Sequence, residues 1–297
     1  MQVRNIGYLE IDRFIDFGSD IMGDLKMPFN EWLDKGITEL DWCFLIEDKG
    51  NFLGRVIYAK YNEEVMLMNL YVVDENVEVL EELLNESLKA MMGNGVQIIT
   101  YHIYSDNRKF NYYTRVLNKA GFDISQRKKS FVFEKDKVEH MELDLEFKSV
   151  NETGEERYIQ AIEKVTEETM DSDDLEETLR LGVKKAAIDK FKALKEIEYE
   201  DDLWLLAYRN NKLIGLVVSQ RFNANTGAIN YIGVVPEERG NGYINQLVYK
   251  GTGVLIQKGI NKVIADIDEK NFPMEKALIK EGYKLDSLEL VYKIKIS

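Results

Sequence analysis

The stretch IGVVPEERGNGYINQLVYKG, Ile232–Gly251, decides how this chain is read. It runs from a β-branched apolar segment through Pro236 and two acids into Arg239, Gly240, Asn241 and Gly242. Apolar residues at helical spacing then continue from Tyr243 to Ile256. Proline lacks a backbone donor, so a strand pairs no further once it reaches Pro236. The first amides of a helix have no partner within the helix, and glycines let a ligand approach them, which together suit an anion. The helix dipole adds about 0.3–1 kcal/mol when exposed and up to ~2 kcal/mol when partly buried. Several aimed amides beside one guanidinium fit a diphosphate; taken alone, the same glycines equally make a plain turn.

Outward from this stretch the chain reads as two copies of one pattern. LWLLAYRNNKLIGLVV predicts a hairpin turning at Arg209–Lys212, and DWCFLIEDKGNFLGRVIY repeats it with the turn at Glu47–Asn51. Gly54 and Gly215 hold the same place in the two hairpins. Strands are expected at Val65–Val73 and Gly227–Val235, each followed by a helix and then by VQIITYHIY or KVIADID. Short helices end at NKAGF and IKEGY, where Gly121 and Gly282 read as C-caps. KSFVFEK and LELVYKIK are expected to close their own halves. The charged segment Glu134–Phe147 reads as the linker, giving domains 1–140 and 141–297. The second half opens with helical segments in NETGEERYIQAIEKVTEE and DSDDLEETLRLGVKKAAIDKFKALKEI, the latter capped by Ser172. The fold class is α+β: two units, each a mostly antiparallel sheet flanked by helices.

Composition narrows the function classes. With 39 Lys+Arg against 53 Asp+Glu, the net charge of −14 disfavours nucleic acid and anionic membrane surfaces and favours cationic partners. No apolar run is long enough to span a bilayer. The first residues show no basic segment leading into an apolar one, so a cytoplasmic location is expected. The lone Cys43 lies in an apolar run and reads as a buried hydrophobe. His102 and His140 are not at metal-ligand spacing, and no metal is expected.

Strand, proline, R-x-x-G and helix, followed by strand, Asn271, helix and Gly282-Tyr283, resemble the GNAT superfamily of N-acetyltransferases. The resemblance covers roughly Leu145–Ser297 and reaches the first half only in element order. It implies that acetyl-CoA is the co-substrate, with its pyrophosphate on Arg239, Gly240, Asn241, Gly242, Tyr243 and Ile244. It also implies a central strand pair that splays to receive the pantetheine arm along Val234 and Val235, with an oxyanion-donating amide near Val235 and Asn271 toward the thiol end. Ile244 stands where the family prefers Gly or Ala, and Leu278 where it often has a tyrosine acid. In the first half Asp74 replaces the proline and no glycine loop follows, so that unit is expected to be degenerate and not to bind acetyl-CoA.

Acetyl transfer to an amine needs an aligned thioester, a neutral amine and donors to the developing oxyanion. The strand before the loop holds no acid, so the catalytic candidates are Asp266 and Asp268, which share one face of the next strand, and Tyr231. The acceptor is a small-molecule or peptide amine; a homodimer is compatible with the sequence. A catalytically silent acyl-CoA or small-molecule sensor stands as the alternative, with transfer of an aminoacyl or longer acyl group as a third reading.

Overall fold

The computed structural model describes residues 1–19, 26–61, 64–134 and 137–296. They form two compact units, one of residues 1–125 with 289–297 and one of residues 126–288.

The first unit runs β1 (Gln2–Asn5), α1 (Ile11–Asp16), α2 (Lys26–Asp34), β2 (Cys43–Asp48), β3 (Asn51–Tyr61), β4 (Glu64–Val72), α3 (Val77–Gly93), β5 (Ile98–Tyr104) and α4 (Phe110–Lys119). The chain then continues through β6 (Asp123–Phe133), β7 (Glu146–Ser149), α5 (Val150–Thr153), α6 (Glu155–Thr166), α7 (Ser172–Leu181) and α8 (Val183–Ile197). It ends with β8 (Trp204–Arg209), β9 (Lys212–Arg221), β10 (Thr226–Val234), α9 (Tyr243–Gln257), β11 (Lys262–Asp268), α10 (Phe272–Lys280) and β12 (Lys284–Lys295).

The expected hairpins form with two-residue turns. Lys49 and Gly50 have φ of 49° and 80°, and Asn210 and Asn211 have φ of 50° and 63°. Positive φ at both central residues matches the right-handed twist of the strands, and Gly and Asn reach it at low cost.

Both units also repeat an irregularity. The β3–β4 ladder slips at Met68 and the β9–β10 ladder at Asn230. Such a bulge raises local twist and carries the strand away from its other neighbour. Accordingly the parallel β4–β5 ladder holds only Val65–Ile99 and Met66–Thr100, and the β10–β11 ladder only the three pairs from Thr226–Lys262 to Ala228–Ile264. The expected splay is present in both units.

The closing strands do not stay in their own halves. Glu289–Lys295 of β12 pairs antiparallel with β5 in the first unit, while Lys128–Phe133 of β6 pairs antiparallel with β11 in the second. Within the first unit the strands order as β1-β2-β3-β4-β5-β12, and within the second as β6-β11-β10-β9-β8-β7. The units are not divided at residue 140, because their last strands are exchanged. Nor is Glu134–Phe147 a free linker, although its residues 135 and 136 lie outside the described residues. Val138 packs on the second core, Leu145 is buried beside Tyr243 and Leu247, and Glu146–Ser149 pairs with β8. Its charge suggested solvent, but its spaced apolar residues dock.

Two further local differences have plain causes. The second-half helices break at Gly154 and Gly182, with φ of 83° and 80° and ψ near-extended. The cap of α7 is Asp171, not Ser172: its carboxylate accepts from the Asp173 and Asp174 amides, leaving the Ser172 hydroxyl for Asp268. An arginine in each unit secures the end of a helix. Arg55, fully buried, donates to the carbonyls of Phe14 and Ile15 at the end of α1 and to Asn69 on β4.

Candidate active site

The glycine loop is built as its residues demand. Gly240 and Gly242 have φ of 80° and 81°, a conformation that a side chain strains, and a Cβ on Gly240 would meet nothing within 4 Å. The glycines are thus needed for backbone shape, with open space before them. No side chain caps α9, and its first internal bond is Asn245 N–H to the Gly242 carbonyl at 3.1 Å. The amides of the preceding residues have no acceptor within the helix. Tyr243 offers only its amide, since its ring is buried and its hydroxyl accepts from Arg209 at 2.6 Å. Ile244 is half-buried against the core, which gives its bulk a place away from the loop. Asn241 donates to the Glu238 carbonyl at 3.1 Å.

Arg239 is spent differently from the expectation. Its guanidinium donates to the carbonyls of Val165 (3.0 Å), Glu167 (2.7 Å) and Glu168 (3.1 Å), which end α6, and to Val234 (3.0 Å). A cation suits the negative end of a helix. Arg239 therefore joins α6 to the tip of β10 at the base of the loop, while the leading amides of α9 have no capping side chain.

Backbone pairing decides which groups of β10 face the splay. The Val235 amide donates to Ile214 at 2.9 Å, inside the hairpin, so it is not the open donor expected of it. In an antiparallel ladder successive residues alternate direction, which turns the Ile232 and Val234 amides toward the splayed side. Asn271 caps α10, its side-chain oxygen accepting from the Met274 amide at 3.3 Å. Leu278 is fully buried in the core, so no proton donor stands at that position.

The face of the splayed strand covered by α7 and α8 carries a buried polar network. The Tyr231 hydroxyl donates to Asp174 at 3.0 Å and lies 2.8 Å from the Thr166 hydroxyl. Lys190 of α8 pairs with the other Asp174 oxygen at 2.9 Å. Burial, and then the Asp174 charge, push the Tyr231 phenol well above its ordinary pKa, so it stays a neutral donor. Burial draws the Lys190 ammonium down, but the Asp174 carboxylate more than offsets this and the net shift is upward. Glu177, half-buried one turn beyond Asp174, has its carboxyl raised by burial.

Asp266 and Asp268 do share a face, opposite Ser130 and Lys128 of β6. Asp268 is buried with both oxygens engaged, one by the Ser172 hydroxyl and one by the Lys270 amide at 3.0 Å. Asp266 is exposed. Sequence reading did not single out Asp174, Lys190 or Glu177. One signal was available: Lys190 interrupts the apolar face made by Ala186, Ala187, Phe191 and Leu194. Among the described residues no group of three or more His, Cys, Asp or Glu could hold a metal ion, and no helix is long and apolar enough to cross a membrane.

The corresponding place in the first unit is closed. Lys109 precedes α4 as Asn271 precedes α10, and its ammonium donates to the Val72 carbonyl at 2.8 Å and the Val73 carbonyl at 3.3 Å. Tyr113 of the same helix donates to Leu70 at 3.2 Å, so α4 is tied along the splayed part of β4. The leading amides of α3 are already taken, since the Asn76 side chain accepts from Glu78 and Val79. Asp74, Glu75 and Glu78 surround that helix start.

Residues 165–283 match the model of the acetyltransferase (GNAT) family. That match lies within the second unit, and the chain has the fold of solved GNAT proteins, a tandem one among them. A GCN5-related N-acetyltransferase from Sphaerobacter thermophilus superposes with a TM-score of 0.69 at 14% identity, covering 99% of this chain and 95% of that one. A tandem GNAT protein from the clavulanic acid biosynthesis pathway gives 0.56 at 12% identity, over 85% of this chain and 82% of that one. A GNAT-family acetyltransferase from Colwellia psychrerythraea gives 0.54 at 13% identity, over 99% and 100%. No curated protein sequence matches the chain.

Proposed function

We propose that the protein is a cytoplasmic, acetyl-CoA-dependent N-acetyltransferase acting on a primary amine of a small molecule or peptide, with only the second unit competent for acetyl-CoA. One contrast carries the reading: α9 begins with uncapped amides behind two left-handed glycines, whereas the matching helix α3 begins with amides capped by Asn76 among acids. The Gly240–Ile244 amides hold the diphosphate, and the open edge of β10 at Ile232 and Val234 aligns the pantetheine arm. The Val234 amide is the donor placed to stabilise the oxyanion as the amine adds to the thioester carbonyl.

The attacking amine must lose a proton, and a free alkylamine has a pKa near ~10.4. Glu177 is the carboxyl best suited to take it: burial raises its basicity, and it lies on α7 next to the Asp174 network. Tyr231 orients that network, and Asp268 holds α7 to the sheet. With Leu278 apolar, the departing thiolate takes its proton from water.

The test is acetyl-CoA titration by calorimetry, together with release of CoA followed by a thiol reagent across a panel of amines. Saturable binding with turnover on at least one amine is expected. Absence of binding defeats the reading. Binding without turnover on any amine transfers it to an acyl-CoA sensor, which Leu278 and the acid-free β10 would then explain.

A further inference from the structure

In the second unit the chain that leaves β6 lies along one face of α9. Val138 approaches Gly253, where an added Cβ would stand 3.7 Å from Val138 Cγ2. Further on, Gln246 accepts from the Asp144 amide at 3.1 Å and donates to the Asp144 carboxylate at 2.7 Å, and Leu145 packs beside Tyr243 and Leu247. The covering segment, residues 138–145, thus runs antiparallel to the helix, with no helix or strand of its own.

The first unit has the same helix with that face open. With α3 and α9 aligned on the left-handed glycines that follow them, Gly95 and Gly259 (φ of 81° and 86°), their buried positions coincide: Leu83, Leu84, Ser87 and Met91 hold the places of Leu247, Val248, Gly251 and Leu255. Glu82, Glu86 and Lys89 then hold the places of Gln246, Lys250 and Gly253. Here they line an open groove of about 670 Å³, together with Leu88, Met92 and Ile296. Met92 is 44% exposed, a large apolar side chain left in water. Exposed apolar surface rimmed by polar groups marks a contact site. The charge is reversed from that of the counterpart. An acidic segment, with Glu139, Glu142 and Asp144, covers the face that bears Lys250, whereas the groove carries Glu78, Glu82 and Glu86. Lys89 pairs with Glu86 at 2.6 Å, but Glu78 and Glu82 have no ion pair among the described residues. Lys295 is the other cation of the lining.

We propose that this groove docks an irregular, lysine- or arginine-bearing segment of a partner protein, laid along α3 as residues 138–145 are laid along α9. The partner's cations face Glu78 and Glu82, and toward the end of the helix an apolar side chain covers Met92. Charge selects the partner. Like charges set opposite one another are costly at an interface, so a second copy offering its own acidic 138–145 segment is disfavoured. The surface belongs to the first unit alone and owes nothing to acetyl-CoA binding in the second.

The probe is a fluorescein-labelled peptide of residues 138–147 carrying Glu139→Lys, Glu142→Lys, Asp144→Lys and Glu146→Lys, titrated with the full chain and followed by anisotropy. The peptide of natural sequence is the comparison. The basic peptide should bind saturably and about tenfold more tightly than the natural one. Glu82→Lys with Glu86→Lys should reverse that preference, and Met92→Ser should weaken the basic peptide about threefold. The control pair, Glu156→Lys with Glu196→Lys, makes the same change in net charge on exposed acids of the second unit. A basic peptide that binds no better than the natural one, a preference unchanged in the α3 pair, or an equal loss in the control pair would each overturn the proposal. So would a dimer of the full chain, seen by sedimentation, that the α3 pair dissolves, because the groove would then belong to a second copy.

Discussion

The Lys109 ammonium sits 2.8 Å from the Val72 carbonyl, across the gap that the bulge at Met68 opens in the first unit. In the second unit the residue before the equivalent helix, Asn271, turns its side chain back onto its own helix. One side chain thus bridges the splay where the other leaves it open. The same strand geometry survives in both units, but the residue before the helix bridges it only in the first.

Lys109→Ala should destabilise the first unit by about 1–2 kcal/mol, the scale of a lost charged hydrogen bond at a half-buried site. Urea unfolding followed at two wavelengths would measure it. The variant should not gain acetyl-CoA binding, because Asn76 still caps α3.

Acetyl-CoA should bind with a stoichiometry of one per chain. Gly242→Val places a β-branched residue at a φ of 81° and should raise the acetyl-CoA Kd at least tenfold, about 1.4 kcal/mol. Calorimetry reads both, and a stoichiometry of two would show that the first unit binds as well.

Arg239→Ala should act through structure. Loss of its four carbonyl contacts frees the end of α6 from β10, at a cost on the order of 2 kcal/mol. Hydrogen exchange at Val165–Glu168 should rise even without ligand. A residue that only touched phosphate would leave that exchange unchanged.

Burial pushes the Cys43 thiol from 9.0 up to about 12. The folded state therefore keeps its proton at a pH where the unfolded chain has lost it. This contribution to stability is complete below pH 9 and is lost as the pH rises toward about 12. At pH 8 iodoacetamide should label the unfolded chain and spare the native one, and Cys43→Ala should flatten the alkaline fall in stability.

Deleting residues 289–297 should strip β5 of its partner strand. Exchange protection at Ile98–Tyr104 should collapse, and the truncated chain should aggregate through the exposed edge. Equal protection in the two chains would contradict the pairing.

Local chemistry made much of this fold legible. Asn210-Asn211 and Lys49-Gly50 announce their turns, Gly121 and Gly282 their helix ends, and the repetition of these marks exposes the duplication. Pairing between β6 and β11, or β5 and β12, depends on strands more than a hundred residues apart and leaves no local mark. The site divided along the same line. Gly240 and Gly242 were readable because a left-handed turn before a helix demands glycine. The partners of Arg239 were not, since its acceptors are carbonyls about seventy residues upstream that any side chain could carry. Asp174 and Lys190 likewise look like ordinary helix-surface charges until α7 and α8 fold over Tyr231.

The exchanged strands also set a timetable. A chain made from its N-terminus can assemble β1 to β5 early, yet the strand that pairs with β5 is synthesised only after the elements of the second unit. The first unit must wait, with the edge of β5 bare, while the whole of the second is synthesised. The second can close its own sheet sooner, because β6 has already emerged when β11 arrives. The unit that carries the candidate chemistry can therefore mature before the half of the chain that was made ahead of it.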